Sequence, residues 1–159
     1  MPHTELSLAR DLNRLLRKTG LTLAIAEGSS GGRLGERLVR YPGATAYFKG
    51  AVVTYDYPSR TSLLGIPQRL LRKHGAVSEV AARGMAEAVR RRFASDIGLA
   101  STGVTGPVGR GIGDLCLALA DGTQTIAEHH HVTPGPRLAM QAEFTRLALA
   151  MLHRYVSGR

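Results

Sequence analysis

Leu21-Thr22-Leu23-Ala24-Ile25-Ala26-Glu27-Gly28-Ser29-Ser30-Gly31-Gly32 reads as a buried strand running directly into a turn. Residues 21–26 carry no charge and suit a strand covered on both faces. Residues 28–32 are only glycine and serine, and a short helix follows to about Arg40, ended by Tyr41-Pro42-Gly43. A strand, a glycine-rich turn and a helix in that order mark an α/β unit. Glycine lets the backbone approach a ligand, and the amides of the next helix are then placed to receive an anion. The spacing is neither that of a P-loop nor that of a dinucleotide fingerprint. A plain tight turn therefore stays open, with Glu27 either holding a ligand hydroxyl or capping the loop.

Working outward, Leu6, Ala9, Leu12, Leu15 and Leu16 recur at helical spacing, and Gly20 supplies a stop. This predicts a helix over 4–18. On the other side, residues 48–55 are β-rich. Pro58 opens a short helical turn, and Pro67 suits the first position of another. Ser78 is a good N-cap for a helix through about Phe93. Residues 97–101 form a strand, and the loop 103–111 that follows holds Gly103, Gly106, Gly109 and Gly111. Strands near 113–120 and 123–133 flank Asp121-Gly122, a hairpin signal. A last helix spans about 136–155. Strands alternate with helices early and a hairpin comes late. That order predicts one domain over 1–159, with a mixed sheet covered by helices on both faces. Ligands gather at the carboxyl ends of strands in such sheets, where both glycine-rich loops fall.

Composition excludes several classes. The chain has 159 residues, of which 43% are hydrophobic and 21% charged, so it can build a core without staples. One cysteine, Cys116, lies in an apolar run and reads as a small buried hydrophobe. No signal-peptide pattern and no long apolar run occur, which predicts a cytoplasmic protein with no membrane contact. The net charge is +9, carried mainly by arginine. It is scattered, and aromatics make up only 5% of residues, so no stacking motif supports nucleic acid as partner. A positive field still favours anionic ligands. His129-His130-His131 looks like a metal run, but with no acidic or cysteine partner evident it reads as exposed strand polarity. No metal or cofactor is expected. Arg90-Arg91-Arg92 at a helix end suits the macrodipole and solvent.

Five segments also resemble, in register, the C-terminal domain of CinA proteins, related to nicotinamide-nucleotide amidohydrolases. Residues 26–32 are similar to the family's Ala-Glu-Ser-Cys-Thr-Gly-Gly loop. Pro42-Gly43-Ala44-Thr45-Ala46-Tyr47-Phe48 resembles Pro-Gly-Ser-Ser-Ala-Tyr-Phe, and Val52-Val53-Thr54-Tyr55 a strand ending Val-Val-Thr-Tyr. His74-Gly75-Ala76-Val77-Ser78-Glu79 matches a hallmark, and Gly103-Val104-Thr105-Gly106-Pro107 is similar to Gly-Ile-Ala-Gly-Pro. The resemblance runs over about residues 5–155. It implies a three-layer α/β/α sandwich with a mixed sheet. It also implies hydrolysis of the carboxamide of nicotinamide mononucleotide to the acid nucleotide and ammonia.

The same resemblance implies site residues. Glu27, Gly31, Gly32, Gly103, Gly106 and Arg137 fall at ligand-binding positions, and Tyr55 and Thr102 at catalytic ones. The nucleophile's position is held by Gly28 and that of an assisting lysine by Arg60. The second glycine-rich loop lacks the family's lysine-proline segment. Glycine has no nucleophile, and arginine cannot act as a base in a protein. Arg60 could instead hold a phosphate or carboxylate as a planar fork. Ser29 and Ser30 are the substitute nucleophiles on offer. His74 reads as ordering its loop through a hydrogen bond. Three readings follow: an altered amidohydrolase, a silent relative that binds a nucleotide such as nicotinamide mononucleotide, and a basic nucleic-acid or protein-interaction module. The two replacements weigh toward the silent relative. Self-association is left open.

Overall fold

The structure, a computed structural model, describes residues 3–159; residues 1 and 2 of the expected domain lie outside it. Five strands form one sheet in the order β2-β1-β3-β4-β5. β1 (Leu23–Glu27) pairs in parallel with both β2 (Phe48–Val53) and β3 (Ile97–Gly103). β4 (Asp114–Ala120) and β5 (Thr125–His131) add on antiparallel, so the sheet is mixed.

The strands' two faces differ in side-chain size. Leu23, Ile25, Ile97, Leu99, Leu115, Leu117 and Leu119 point to one face. There they pack against α1 (Glu5–Thr19), α2 (Arg33–Val39) and α6 (Arg137–Ser157). Ala24, Ala26, Ala100, Cys116, Ala118 and Ala120 line the other. They meet α3 (Tyr57–Leu64), α4 (Gln68–His74) and α5 (Glu79–Arg92) or the residues beside them. This is the three-layer sandwich. The alanine face lets α5 come close. A side chain on Gly98 would collide with the Ala86 carbonyl, so the strand runs bare beneath the helix at that point.

Local signals account for most element ends. The Thr4 hydroxyl caps α1 by accepting from the Ser7 amide (3.1 Å), and Gly20 ends the helix in the left-handed conformation at φ 71°. Asp56 and Ser59 form a reciprocal capping box for α3, with Pro58 in its first turn. Ser78 caps α5 as expected. Pro67 proves to be the N-cap of α4 rather than its first residue; its ψ of 132° is still extended. The hairpin at Asp121-Gly122 is present, but its strands close one step further out than expected. Asp121 and Gln124 form the last backbone bond (3.1 Å), and Gly122 and Thr123 make the turn. The Asp121 carboxylate accepts from the amides of Thr123 and Gln124 (both 2.9 Å), which favours this register.

The burial of Cys116, 2% exposed on the alanine face of β4, pushes its thiol up to about 11. It is an inert small hydrophobe. No helix among the described residues is long and apolar enough to cross a membrane.

Candidate functional site

β1, β2 and β3 are parallel and in register at Glu27↔Val53 and Glu27↔Ser101. Their carboxyl ends therefore meet at one edge of the sheet. The segments that follow them enclose a cavity of about 230 Å³ between Gly28-Ser29, Tyr55, Arg60, Ala76-Val77, residues 103–106, Val108 and Arg137. The larger cavity, about 630 Å³, is bounded by α5 and the β4–β5 turn and is lined by Arg83, Glu87, Arg90 and Arg91. There Arg83 Nη1 donates to the Thr125 carbonyl, Arg90 Nε to the Asp96 carbonyl (3.2 Å), and Arg91 pairs with Glu87 (3.9 Å). None of the candidate site residues reaches it.

Glu27 is fully buried and its carboxylate is committed to the loop it begins. Oε2 accepts from Ser30 Oγ (2.7 Å), the Gly32 amide (3.0 Å) and the Leu34 amide (3.1 Å), and Oε1 accepts from the Gly35 amide (2.8 Å). The open amides of α2 thus receive the protein's own carboxylate. Of the two roles open to Glu27 the structure shows the capping one, and its carboxylate takes up the helix amides that were expected to receive an anion. Ser30, 4% exposed, belongs to the same cap and is not on the cavity wall. Gly31 and Gly32 also stay off the wall. Their φ values of 60° and 98° are left-handed, which is what the turn demands of glycine.

Ser29 is the serine that lines the cavity. It is 6% exposed, and its Oγ has no hydrogen-bond partner. Its carbonyl accepts from Gln141 Nε2 of α6 (2.8 Å), which pins the turn. Gly28 bonds through its amide to the Ser101 carbonyl (2.9 Å) and does not have a left-handed φ. Its lack of a side chain is therefore not a backbone requirement. A β-carbon there would stand 3.1 Å from Arg60 Nη2. The guanidinium fills the space into which a residue at 28 would project.

Arg60 is 5% exposed. Nη1 donates to the Ala76 carbonyl (2.6 Å) and Nη2 to Thr102 Oγ1 (2.9 Å), while Nε is buried and unpartnered. Burial lowers its pKa from the usual guanidinium value, and no carboxylate offsets that. Thr102 is fully buried. It accepts from Arg60 and donates to the Ala76 carbonyl (2.8 Å), so it stands behind the wall as a support for Arg60. Tyr55 is 62% exposed, and its hydroxyl accepts from Arg137 Nη2. Arg137 Nη1 donates to the Gly106 carbonyl (2.8 Å). Tyr55, Arg137 and Gly106 form the rim. A β-carbon on Gly103 would press against Phe144 (2.5 Å) and the Asp114 carbonyl (2.9 Å), so that glycine admits α6 as well as lining the cavity.

Other residues fall elsewhere. His74 is exposed in the last turn of α4; the bonds that order its motif come from Ser78 Oγ, to the Gly75 carbonyl (2.9 Å) and from the Ala81 amide (3.1 Å). The histidine run has acidic partners after all. His131 bonds Asp114 (2.8 Å), His129 lies 3.8 Å from it, and His130 bonds Glu128 (2.9 Å). Asp114 was invisible as a partner because it joins them only across the β4–β5 ladder. Sequence reasoning also missed Ala76 and Gln141. Ala76 acts through its carbonyl, which leaves no side-chain signal, and Gln141 is one polar position on a long helix.

Comparison with known proteins gives the kinship. A family described as the CinA C-terminal domain matches residues 5–156. A CinA-like protein of Syntrophus aciditrophicus is 42% identical over 148 residues, covering 91% of this chain and 35% of that protein. One of Gloeobacter violaceus is 50% identical over 125 residues, covering 76% of this chain and 29% of that protein. The chain thus spans about a third of the length of the curated relatives it matches. Among solved structures, the competence damage-inducible protein A of Klebsiella pneumoniae superposes with TM-score 0.93 at 26% identity, covering 98% of each chain. A CinA-superfamily protein of Escherichia coli gives 0.89 at 28% identity, covering 95% of this chain and 90% of that one. The chain belongs to the CinA C-terminal domain family.

Proposed function

We propose that this domain binds a pyridine mononucleotide in the cavity at the sheet's carboxyl edge, in the cytoplasm, and is silent or nearly so as a carboxamide hydrolase. One observation carries the reading: the Arg60 guanidinium occupies the space beside Gly28, at the two positions where the resemblance places a serine and a lysine. Hydrolysis of a carboxamide needs a nucleophile at the carbonyl carbon, a group to take its proton, and a proton for the departing ammonia. Gly28 offers no nucleophile. Ser29 contributes to the wall, but its hydroxyl is buried and nothing accepts its proton. Arg60 stays protonated even with its pKa lowered.

Binding is supported separately. The rim couples the exposed Arg137 to Tyr55 and Gly106, which sets a cation at the mouth suited to a phosphate. Calorimetry with nicotinamide mononucleotide tests this; Arg137→Ala should weaken the heat signal, and no binding at millimolar ligand removes the reading. Ammonia release by the wild-type chain should be absent, or about a hundredfold below that of the double variant Gly28→Ser, Arg60→Lys. Faster wild-type turnover that disappears in Ser29→Ala would show that the neighbouring serine has taken over the chemistry.

A further inference from the structure

Four buried side-chain polar atoms have no hydrogen-bond partner among the described residues: Ser29 Oγ, Thr54 Oγ1, Arg60 Nε and Ser101 Oγ. Two of these residues, Ser29 and Arg60, line the cavity, while Thr54 and Ser101 stand at the strand ends behind it. The Thr54 amide bonds the Glu27 carbonyl (2.8 Å), the Ser101 carbonyl takes the Gly28 amide, and Arg60 stands against Gly28. Elsewhere in the described chain buried polar side chains are satisfied. Unmet polar groups on two wall residues, one of them charged, point to a polar occupant of the cavity.

Charge points the same way. A guanidinium has five N–H groups. Two of Arg60's are taken, both by neutral oxygens, at Ala76 and Thr102. Arg60, only 5% exposed, forms no ion pair within the described residues. Glu27, the acid that ends the adjoining strand, is fully engaged by α2. The cavity wall carries Arg60 and Arg137 and no acidic side chain. A buried charge left unpaired is costly, and an anion in the cavity would remove that cost.

We propose that the deep end of this cavity is a carboxylate seat, so that the domain prefers a pyridine nucleotide bearing a carboxylate to one bearing a carboxamide. A carboxylate offers only acceptors to the free Arg60 edge and brings a compensating charge. A carboxamide is neutral, and half of its polar edge is an N–H₂ donor facing other donors. With Arg137 at the rim, the wall then matches the two charged ends of an acidic nucleotide. This inference rests on the nucleotide reading and adds the identity of the group at the deep end.

The test is calorimetric titration of the intact chain with nicotinic acid mononucleotide and with nicotinamide mononucleotide. The acid is expected to bind about tenfold more tightly or better, the scale of one charge-assisted hydrogen bond. Arg60→Gln should abolish that preference, and Arg60→Lys should keep part of it. Equal affinity, or tighter binding of the amide, overturns the carboxylate seat and leaves the nucleotide reading standing. The wild-type comparison alone can do this, so a variant that fails to fold does not shelter the proposal. If neither nucleotide binds, the nucleotide reading falls. Free nicotinate and nicotinamide are then titrated against the Arg60 Nε–H resonance: movement with nicotinate alone retains the carboxylate seat, and no movement, or equal movement, overturns it.

Discussion

At the scale of single residues, Gly28 and Arg60 must be read as a pair. A β-carbon on Gly28 would stand 3.1 Å from Arg60 Nη2 and 3.4 Å from the Ser101 carbonyl oxygen. The second distance is ordinary contact, while the first requires the guanidinium to move. Arg60 cannot move freely, because Ala76 and Thr102 hold two of its N–H groups. Gly28→Ser alone should therefore lower stability by about 1–3 kcal/mol, as overpacking does. Adding Arg60→Lys, which removes the planar fork, should recover much of that loss. Denaturant melts of the two single variants and the double variant check this, and simple additivity would separate the two sites.

Among the elements, the hairpin and the C-terminus of α6 are tied through one carboxylate. Asp121 accepts from the Tyr155 hydroxyl (2.6 Å), from Arg159 (2.8 Å) and from its own turn. Burial alone would raise its pKa, but the bonds from Tyr155, Gln124 and Thr123 outweigh that and hold it below the usual carboxylate range. Tyr155 is pushed up to about 12 by burial and by the same carboxylate. A carboxyl group whose folded pKa is depressed stabilises the fold above its unfolded pKa and loses that contribution as pH falls. Asp121→Asn should thus cost about 1–3 kcal/mol at pH 7. The gap from wild type should narrow below about pH 4. Urea melts across that range measure it.

These elements also show how much of the fold the letters alone disclose. Gly20, Ser78, Pro58 and the 3.6-residue apolar pattern of α1 act locally, so their consequences are visible in the letters. The site was legible only in part. The loop 28–32 stands out in the sequence, yet its division of labour does not. Which of Ser29 and Ser30 faces the cavity depends on Glu27 reaching forward to α2, and the anchoring of Arg60 depends on a carbonyl sixteen residues away.

Across the whole molecule, the sheet has a thick face and a thin one. Leucine and isoleucine hold α1, α2 and α6 at a distance, and alanine draws α5 in. Opposite edits at neighbouring residues of β4 should therefore both destabilise, one by emptying the thick face and the other by crowding the thin one. Leu117→Ala empties a fully buried position and should cost about 2–5 kcal/mol. Ala118→Leu forces extra volume under α5 and should cost about 1–3 kcal/mol or more. Thermal unfolding of both variants tests the asymmetry; a well-tolerated Ala118→Leu would mean that α5 can lift from the sheet.

The Glu27 cap has one more consequence. Because α2 is closed by an internal carboxylate, the turn that bears Gly28 and Ser29 is assembled before any ligand arrives. Association then loses little entropy in ordering this wall. The amides of Gly32, Leu34 and Gly35 should accordingly exchange with deuterium slowly, and at the same rate in the free and the ligand-bound protein. The rim, by contrast, rests on the exposed side chains of Tyr55 and Arg137, and whatever stiffening a ligand causes should be felt there.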